Sequence, residues 1–380
     1  MKTISVLGSG IGGVVATHEL QRKINKSLTY KIFLFEKEEQ FTFAPSLPWV
    51  MIGKRKYEKV KKKIDVLASD YVQVIKGEVE SVDPEKLSVK VNGKEYKSDY
   101  IVIALGAETK VEHNLDKYGH NFFSLDGADA FHKQLINFSG GKIVVLVSSL
   151  PFKCPAAPYK AAMLIESFIR KRGLRDKTEI SLYTPEPLPL PVAGKEVGEA
   201  VMEMLKKKRI NYFTNHQIES VNEKTISFTN GTKDNYDFLT FTPKHTCPNL
   251  FSNSPITSKS GWIEVNRNTL ETMYSNVFAI GDITSIPLEM SKPLPKAGVF
   301  AHYQAEVVAN NIAEKLNGTQ NFKTFDGYGE CFLELGDGIA GYAKGNFYAS
   351  PIPAVEIKRP SFWRHLGKVW FEKYWWFKYF

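Results

Sequence analysis

The chain is poor in cysteine: its 380 residues include three, at Cys154, Cys247 and Cys331. Three widely spaced cysteines are too few for a disulfide scaffold, and no C-x-x-C pair indicates a metal site. Most cysteines behave as small buried hydrophobic residues. We therefore predict no metal site, and a chemical role for any cysteine has to be argued from its surroundings.

The sequence also lacks a leader-like start and low-complexity segments. An apolar strand pattern begins almost at Met1, with no charged region and apolar run before it, so we expect no signal peptide and a cytoplasmic or cytoplasmic-face location. The net charge of +9 comes partly from basic runs at 54–63 and 206–209. Beside anionic lipid, each such side chain contributes on the order of 1 kcal/mol. No nucleic-acid-binding motif accompanies these runs.

The N-terminus has a dinucleotide-binding pattern. An apolar strand pattern at 3–7 is followed by Gly8-Ser9-Gly10-Ile11-Gly12-Gly13 and a helical pattern at 14–23. This is G-x-G-x-x-G between a strand and a helix, where a pyrophosphate binds the helix N-terminus. A second strand pattern at 31–35 ends at Glu36, in the usual window for an acid that binds the adenosine ribose.

A second strand–turn–helix unit has no glycines in its turn. Residues 142–147 predict a buried parallel strand and residues 156–172 a helix, joined by Ser148-Ser149-Leu150-Pro151-Phe152-Lys153-Cys154-Pro155. Without glycine the backbone cannot closely approach a pyrophosphate, so this unit does not suit a nicotinamide dinucleotide. It presents Cys154 instead, and Lys153 and the following helix N-terminus both favour a thiolate there.

Further segments indicate a family. Strand patterns at 99–107 and 272–282, ending at Gly106-Ala107 and Gly281-Asp282, resemble signatures of the FAD-dependent pyridine nucleotide-disulfide reductase superfamily. Residues 43–50, 152–160 and 295–301, with Gly327-Tyr328-Gly329-Glu330-Cys331, resemble the sulfide:quinone oxidoreductase family. This resemblance spans nearly the whole chain, in the right order.

The resemblance implies an enzyme that oxidises sulfide with FAD and passes electrons to a membrane quinone. It implies that Cys154 and Cys331 form the redox pair, with Cys331 nearer the flavin and Cys154 carrying the persulfide. A fixed ammonium at Lys296 would favour the reduced flavin. The residues expected to bind FAD are Gly8, Ser9, Gly10, Gly12, Gly13, Glu36, Lys37, Pro45, Val79, Leu105, Gly106, Gly281, Asp282, Lys296 and Gly298. The residues expected to line a quinone pocket are Phe332, Ile339, Tyr342, Phe347 and Tyr348.

Two departures from the family pattern stand out. Residues 108–110 lack a cysteine that many members carry, and Cys247 does not match it, so we expect Cys247 to be structural. Residues 185–189 lack a histidine often found there. The proton-transfer residue therefore stays open, with these candidates: His132, Glu166, His245 and His302.

The C-terminal stretch 361–380 holds four of the six tryptophans. Its apolar positions 362, 366, 369, 370, 374 and 377 trace one helical face, and its charged residues interrupt any spanning run. We expect this helix to lie on the membrane surface. The alternative is a helix that packs on its own core or at a homo-oligomer interface.

We predict an α/β protein with two Rossmann-like three-layer dinucleotide-binding domains and a C-terminal amphipathic membrane-binding segment. The boundaries expected are 1–107 with 257–321 for a split FAD domain, 108–256 for the second domain and 322–380 for the C-terminal segment. Three other functions stay open: the flavoprotein subunit of a flavocytochrome c sulfide dehydrogenase, a type II NADH:quinone dehydrogenase, and a non-catalytic flavin redox sensor.

Overall fold

A computed structural model describes residues 1–380. In the first half of the chain the strands are β1 (Lys2–Leu7), β2 (Tyr30–Glu36), β3 (Gln40–Thr42), β4 (Lys61–Lys63), β5 (Val72–Lys76), β6 (Val79–Asp83), β7 (Ser88–Val91), β8 (Lys94–Lys97), β9 (Tyr100–Ile103), β10 (Glu108–Lys110), β11 (His120–Asn121), β12 (Gly141–Val147) and β13 (Thr178–Tyr183). In the second half they are β14 (Asn211–Phe213), β15 (Ile218–Val221), β16 (Thr225–Phe228), β17 (Lys233–Asn235), β18 (Phe238–Thr242), β19 (Lys244–Thr246), β20 (Ile263–Glu264), β21 (Val277–Ala279), β22 (Thr284–Ser285), β23 (Tyr328–Gly336), β24 (Ile339–Asn346) and β25 (Ala354–Ser361). The helices are α1 (Ile11–Lys23), α2 (Leu47–Met51), α3 (Leu115–Tyr118), α4 (Leu125–Leu135), α5 (Ala157–Lys171), α6 (Lys195–Lys207), α7 (Gly298–Asn317) and α8 (Phe362–Tyr379).

The N-terminal unit is built on a parallel sheet in the order β21-β9-β1-β2-β5. Helices α1 and α7 pack together beside this sheet. The antiparallel strands β6, β7 and β8 add a further layer, in which Tyr96 packs edge-on against Phe33 and Phe35 of β2. Strand β21 comes from far along the chain, so the unit is assembled from two separate stretches of sequence.

The second unit repeats this plan with the parallel order β11-β18-β12-β13-β14. Strand β12 is buried on both faces, which explains its continuous apolar run. Ile143 and Val145 belong to the core formed with α4 and α5. Val144 and Leu146 belong to the core formed with the antiparallel strands β15, β16 and β17. The predicted fold class, with two Rossmann-like three-layer units, is confirmed.

Some predicted element ends were wrong. Helix α1 begins at Ile11 and not at residue 14, because Gly12 and Gly13 lie within its first turn. The strand predicted over 272–282 is shorter: β21 covers Val277–Ala279, since Asn276 turns the chain with φ +66° and Gly281–Ile283 forms a 3₁₀ turn.

The C-terminal segment forms the antiparallel sheet β23-β24-β25 and then helix α8. Strand β23 packs on α5, and α8 packs on β24. The side chain of Ser361 caps α8 by accepting a hydrogen bond from the Arg364 N–H at 3.4 Å. The strand β23 therefore brings Cys331 to the helix that follows the glycine-free turn.

Candidate flavin and thiol site

The glycine-rich turn between β1 and α1 forms an open cradle. A Cβ on Gly13 would lie 1.8 Å from the Gly8 carbonyl oxygen, and Gly8 has φ +91°, so neither position accepts a side chain. A Cβ on Gly10 would meet nothing within 4 Å. No side chain caps α1, which leaves its first N–H groups for an anion. The turn therefore fits a pyrophosphate.

The Glu36 carboxylate lies beside this cradle, at the end of β2. It accepts hydrogen bonds from the Ser9 N–H at 2.7 Å, the Ser9 hydroxyl at 2.9 Å and the Lys37 N–H at 2.8 Å. The Lys37 side chain pairs with Glu78 at 3.2 Å. The structure thus brings Ser9 and Glu36 together at the expected ribose end of the site.

Asp282 marks the other end of the flavin site. Its Oδ1 atom is buried without a hydrogen-bond partner, and burial raises its pKa against the opposing charges of Lys153 and Lys296. A buried polar oxygen of this kind requires a donor. A ribityl hydroxyl of FAD would supply one, so the residues present fit the flavin.

Lys296 lies in the wall of the same site and is buried. Its Nζ donates to the carbonyl oxygens of Asp282 at 2.7 Å and Thr284 at 3.0 Å, and lies 3.3 Å from the ring centroid of Trp262. Burial lowers the pKa of Lys296 to about 8. The ammonium is therefore held in place and is not a solvated loop lysine. The contact with Trp262 was not predicted from the sequence.

The other predicted flavin residues are glycines and apolar side chains. Gly106 has φ +70° and open space where a Cβ would lie. Gly298 begins α7, and Leu105 and Val79 pack on the core of the N-terminal unit. Their roles toward FAD stay predictions.

The glycine-free turn brings Cys154 to both Lys296 and α5. Cys154 has φ +53°, its N–H donates to the Lys296 carbonyl oxygen at 2.6 Å, and its own carbonyl accepts from the Ala157 N–H at 2.7 Å. The Nζ of Lys160 lies 3.5 Å from the Cys154 sulfur. Lys160, which the sequence argument overlooked in favour of Lys153, is thus the cation that contacts the thiol.

Cys331 faces the same buried ammonium. Burial raises the pKa of Cys331, while the charges of Lys160 and Lys368 oppose that shift. Burial alone would lower the pKa of Lys160, but negative charge on Cys154 and Cys331 raises it instead. The structure therefore brings the two cysteines together around Lys160, and it adds Lys368 from the tail helix to the same cluster.

Cys247 and His245 lie on the flavin side of this cluster. Burial raises the pKa of Cys247 to about 11, so its thiol stays protonated near neutral pH. Burial and the nearby charges of Lys153 and Lys296 lower the pKa of His245 to about 3, and neither ring nitrogen has a partner. Strand β19 pairs with β10, which places Cys247 beside residues 108–110. A neutral imidazole there is a poor proton carrier at neutral pH.

The other proton-transfer candidates are engaged elsewhere. Glu166 is buried in ion pairs with Arg170 and Lys208. His132 packs edge-on against Phe168, and burial lowers its pKa. His302 lies 3.4 Å from Glu306 and 3.5 Å from the hydroxyl of Tyr379. Glu166 is therefore structural, which corrects its candidacy.

The structure divides the predicted quinone residues into two groups. The rings of Phe332 and Tyr342 lie 5.0 Å apart, and Ile339, on the same hairpin, is partly exposed. A Cβ on Gly367 of α8 would lie 3.5 Å from the Phe332 ring. Phe332, Tyr342 and Ile339 therefore remain candidates beside α8.

The remaining two predicted quinone residues pack elsewhere. The Phe347 ring lies edge-on to Phe300 at 5.1 Å, and the Tyr348 ring edge-on to Phe325 at 5.4 Å. Tyr348 also donates to the Arg267 carbonyl oxygen at 2.7 Å. These two side chains support the core of the N-terminal unit, so one pocket shared by all five predicted residues is wrong.

Helix α8 has an exposed aromatic face. Trp363, Trp370 and Phe377 are 76%, 65% and 86% exposed. The predicted helix is confirmed, but Val369 packs inward and Trp363 takes its place on the outer face. None of the eight helices is both long enough and apolar enough to serve as a membrane-spanning segment.

Charged residues attach the inner face of α8 to the body. Glu372 accepts from Arg55 at 2.6 Å and from the Ser46 hydroxyl at 2.6 Å. Lys368 donates to the Pro45 carbonyl oxygen at 3.3 Å. Lys368 was expected to reach toward water, and it is buried instead.

The fold and the site together define a flavoprotein with a dinucleotide cradle, a buried flavin-side lysine and a pair of cysteines. A model of the family described as "Pyridine nucleotide-disulphide oxidoreductase" matches residues 2–305. The chain belongs to that family. Its members bind FAD, which confirms the predicted cofactor.

The resemblance to sulfide:quinone oxidoreductases is also confirmed. The mouse protein "Sulfide:quinone oxidoreductase, mitochondrial" is 25% identical over 370 residues, covering 92% of this chain and 79% of its own. The crystal structure of the sulfide:quinone oxidoreductase from Aquifex aeolicus has a TM-score of 0.88 at 23% identity, covering 100% of this chain and 91% of its own. "Type II NADH:quinone oxidoreductase" from Staphylococcus aureus is 26% identical over 371 residues, covering 92% and 91%. Identity alone therefore does not separate the sulfide and NADH enzymes.

Proposed function

We propose that the protein oxidises sulfide, with FAD as cofactor and a membrane quinone as electron acceptor. The observation that carries the proposal is the buried ammonium of Lys160, which lies 3.5 Å from Cys154 and acts on Cys331. A dithiol gathered around a cation suits a thiolate nucleophile and leaving group. A nicotinamide enzyme has no need of this arrangement.

The chemistry proceeds through the two cysteines. Hydrosulfide attacks a Cys154–Cys331 disulfide, which forms a new S–S bond on Cys154 and releases Cys331 as a thiolate. Lys160 stabilises negative charge on either sulfur. FAD supplies two-electron chemistry when bound, and Lys296 holds positive charge in the wall of its site. Over a full turnover, HS⁻ + Q + H⁺ gives S + QH₂, where Q is the quinone.

The site argues against an NADH dehydrogenase. The turn before α5 has no glycine, and its Cys154 N–H is already bonded to the Lys296 carbonyl oxygen at 2.6 Å. A pyrophosphate needs free N–H groups and close backbone approach at this place. The exported flavocytochrome subunit and a non-catalytic redox sensor lack an observation that favours them.

Anaerobic titration tests the proposed function. We expect sulfide alone to bleach the flavin absorbance of the purified protein, and NADH at physiological concentration to leave it unchanged. Steady-state reduction of a short-chain quinone by sulfide then separates an enzyme from a sensor. Full bleaching by NADH with saturation in the micromolar range would establish the NADH dehydrogenase instead.

We further propose that the outer face of α8 rests on a membrane surface. The exposed aromatics on this face suit the headgroup region. The basic run 54–63 lies beside the helix: Arg55 pairs with Glu372, and Lys62 donates to the Phe380 carbonyl oxygen at 3.3 Å. Positive charge beside an aromatic face supports binding to anionic lipid. We place this surface on the cytoplasmic side.

Removing the exposed aromatics should release the protein from vesicles. Deleting the whole helix would also remove buried Trp375 and Tyr379, so we choose the triple variant Trp363→Ser, Trp370→Ser and Phe377→Ser. Each large aromatic contributes on the order of 1–3 kcal/mol if fully buried, so binding should fall by about a hundredfold or more. Flotation with anionic vesicles measures this.

A matched control uses exposed apolar residues elsewhere on the molecule: Met202, Met273 and Phe322. Their triple serine variant should float like the parent, and both variants should keep the flavin spectrum. Equal flotation of the α8 variant and its parent would place the anchor elsewhere, and flotation of neither would favour an oligomer interface.

We keep the domain boundaries 1–107 with 257–321, 108–256 and 322–380 as a proposal. The assembly of β21 with β1 and β9 in one sheet supports the split FAD domain. Limited proteolysis of the flavin-loaded protein would locate the junctions.

A further inference from the structure

A buried carboxylate–imidazole pair lies between the thiol cluster and the tail helix. Glu334 on β23 is 3% exposed and accepts hydrogen bonds from the His365 Nδ1 atom at 3.0 and 3.1 Å. The Trp49 Nε1–H also points to Glu334, at 3.4 Å. Since an ionised carboxylate only accepts, Nδ1 of His365 carries the proton and Nε2 is free to exchange one.

Cations surround this pair from several elements. On α8, Lys368 is buried, and burial with the charge of Lys160 lowers its pKa to about 8, against the pull of Cys331, Glu334 and Glu372. After α2, the Nζ of Lys54 is buried without a partner, and burial lowers its pKa. The charges that act on Lys54 also include Lys171, Arg55 and Asp337. Lys368 therefore senses both Cys331 and Glu334, which links the pair to the thiol cluster.

The other end of the pair reaches the outer part of α8. His365 is mostly buried, with 13% of its side chain exposed. A Cβ on Gly338 would lie within 4 Å of both the His365 and the Phe362 rings, and Phe362 is exposed. Glu334, His365 and Lys368 thus form a chain of titratable groups from the buried cysteines to the aromatic face.

We infer that Glu334 and His365 carry protons between the thiol cluster and the face of α8 where a quinone is reduced. This inference rests on the proposed function. Loss of two electrons from HS⁻ leaves sulfur and one proton at the cysteines, and the quinone takes up two protons with two electrons. One proton therefore has to leave the buried cluster and a second has to arrive from water. Imidazole exchanges protons near neutral pH, and Lys368 positions the carboxylate between the two sites.

The test separates the two half-reactions. The variants are His365→Gln and Glu334→Gln, with His216→Gln as the matched control, because His216 packs among Tyr183, Phe213 and Phe228 in the second unit. Stopped-flow absorbance follows flavin bleaching by sulfide, and separately the reoxidation of dithionite-reduced protein by a short-chain quinone. The first measurement tests the proposed function, and the second tests the pair whatever the outcome of the first.

We expect reoxidation to slow by about tenfold or more at pH 7 in both variants, since proton transfer by a positioned group contributes at least that much. The dependence of the rate on pH near neutrality should disappear in His365→Gln, and added imidazole should restore the rate in His365→Ala. The His216→Gln control should match the parent. Reoxidation within about twofold of the parent would overturn the inference. So would a slower rate with an unchanged pH profile and no imidazole rescue, because that result indicates packing alone.

Discussion

Alanine in place of Cys154 or Cys331 should abolish reduction of quinone by sulfide while FAD stays bound. Each cysteine supplies one sulfur of the disulfide that hydrosulfide attacks, and neither belongs to the dinucleotide cradle at Gly8, Gly10 and Gly13. The loss should reach the background rate, because no other thiol faces Lys160. Steady-state quinone reduction and the flavin absorbance spectrum measure the two parts of this result.

Cys247→Ala is the matched control. Its thiol stays protonated near neutral pH, because burial raises its pKa to about 11, so it is a poor nucleophile. This variant should keep most of the activity. Near-normal turnover in Cys154→Ala would contradict the mechanism, and loss of turnover in Cys247→Ala would assign that thiol a chemical role.

Local sequence patterns predicted the parts of the site that depend on one turn or one strand. The glycines at positions 8, 10 and 13 have steric reasons that appear directly in the sequence, because a side chain there collides or blocks the helix N-terminus. The continuous apolar run of β12 likewise indicates a strand buried on both faces. The missing glycines before Cys154 were equally readable, since the pattern and its absence lie in one short segment.

Contacts between distant segments were not readable in this way. Lys153 adjoins Cys154 in the chain, but the helix that starts at Ala157 turns Lys160 toward the sulfur instead. The meeting of Glu334 with His365 depends on how α8 packs against β23, which no local period encodes. Family resemblance supplied the pairing of Cys154 with Cys331, and the structure adds the ammonium between them.

The tail helix shows both outcomes in one element. Apolar spacing predicted the exposed aromatic face, because such a face repeats every three or four residues. The same spacing treated Lys368 and Glu372 as solvent-facing, although both are buried. Arg55, Ser46 and the Pro45 carbonyl oxygen supply their partners. These partners are far away in the chain, so a helical projection could not assign the charged residues to the inner face.

Methionine in place of Lys160 should move the reactivity of both active-site thiols to higher pH. Burial raises the pKa of Cys331, and Lys160 opposes that shift; without the ammonium the thiolate loses its nearest opposite charge. An opposite charge at this distance lowers a pKa by about 1–3 units. The fraction of thiolate at pH 7, and with it the rate of sulfide oxidation, should therefore fall by about tenfold to a thousandfold. The loss should shrink as the pH rises.

The rate of thiol alkylation by iodoacetamide as a function of pH measures this shift, in a Cys247→Ala background so that only Cys154 and Cys331 report. Lys153→Met is the matched control, because Lys153 adjoins Cys154 in sequence but only Lys160 donates to its sulfur. The control should leave the alkylation midpoint near that of the parent. A shift in Lys153→Met equal to that in Lys160→Met would mean that general positive charge governs the thiolates. No shift in Lys160→Met would contradict the electrostatic role of Lys160, since a buried ammonium within 3.5 Å of the sulfur has to favour the thiolate over the thiol.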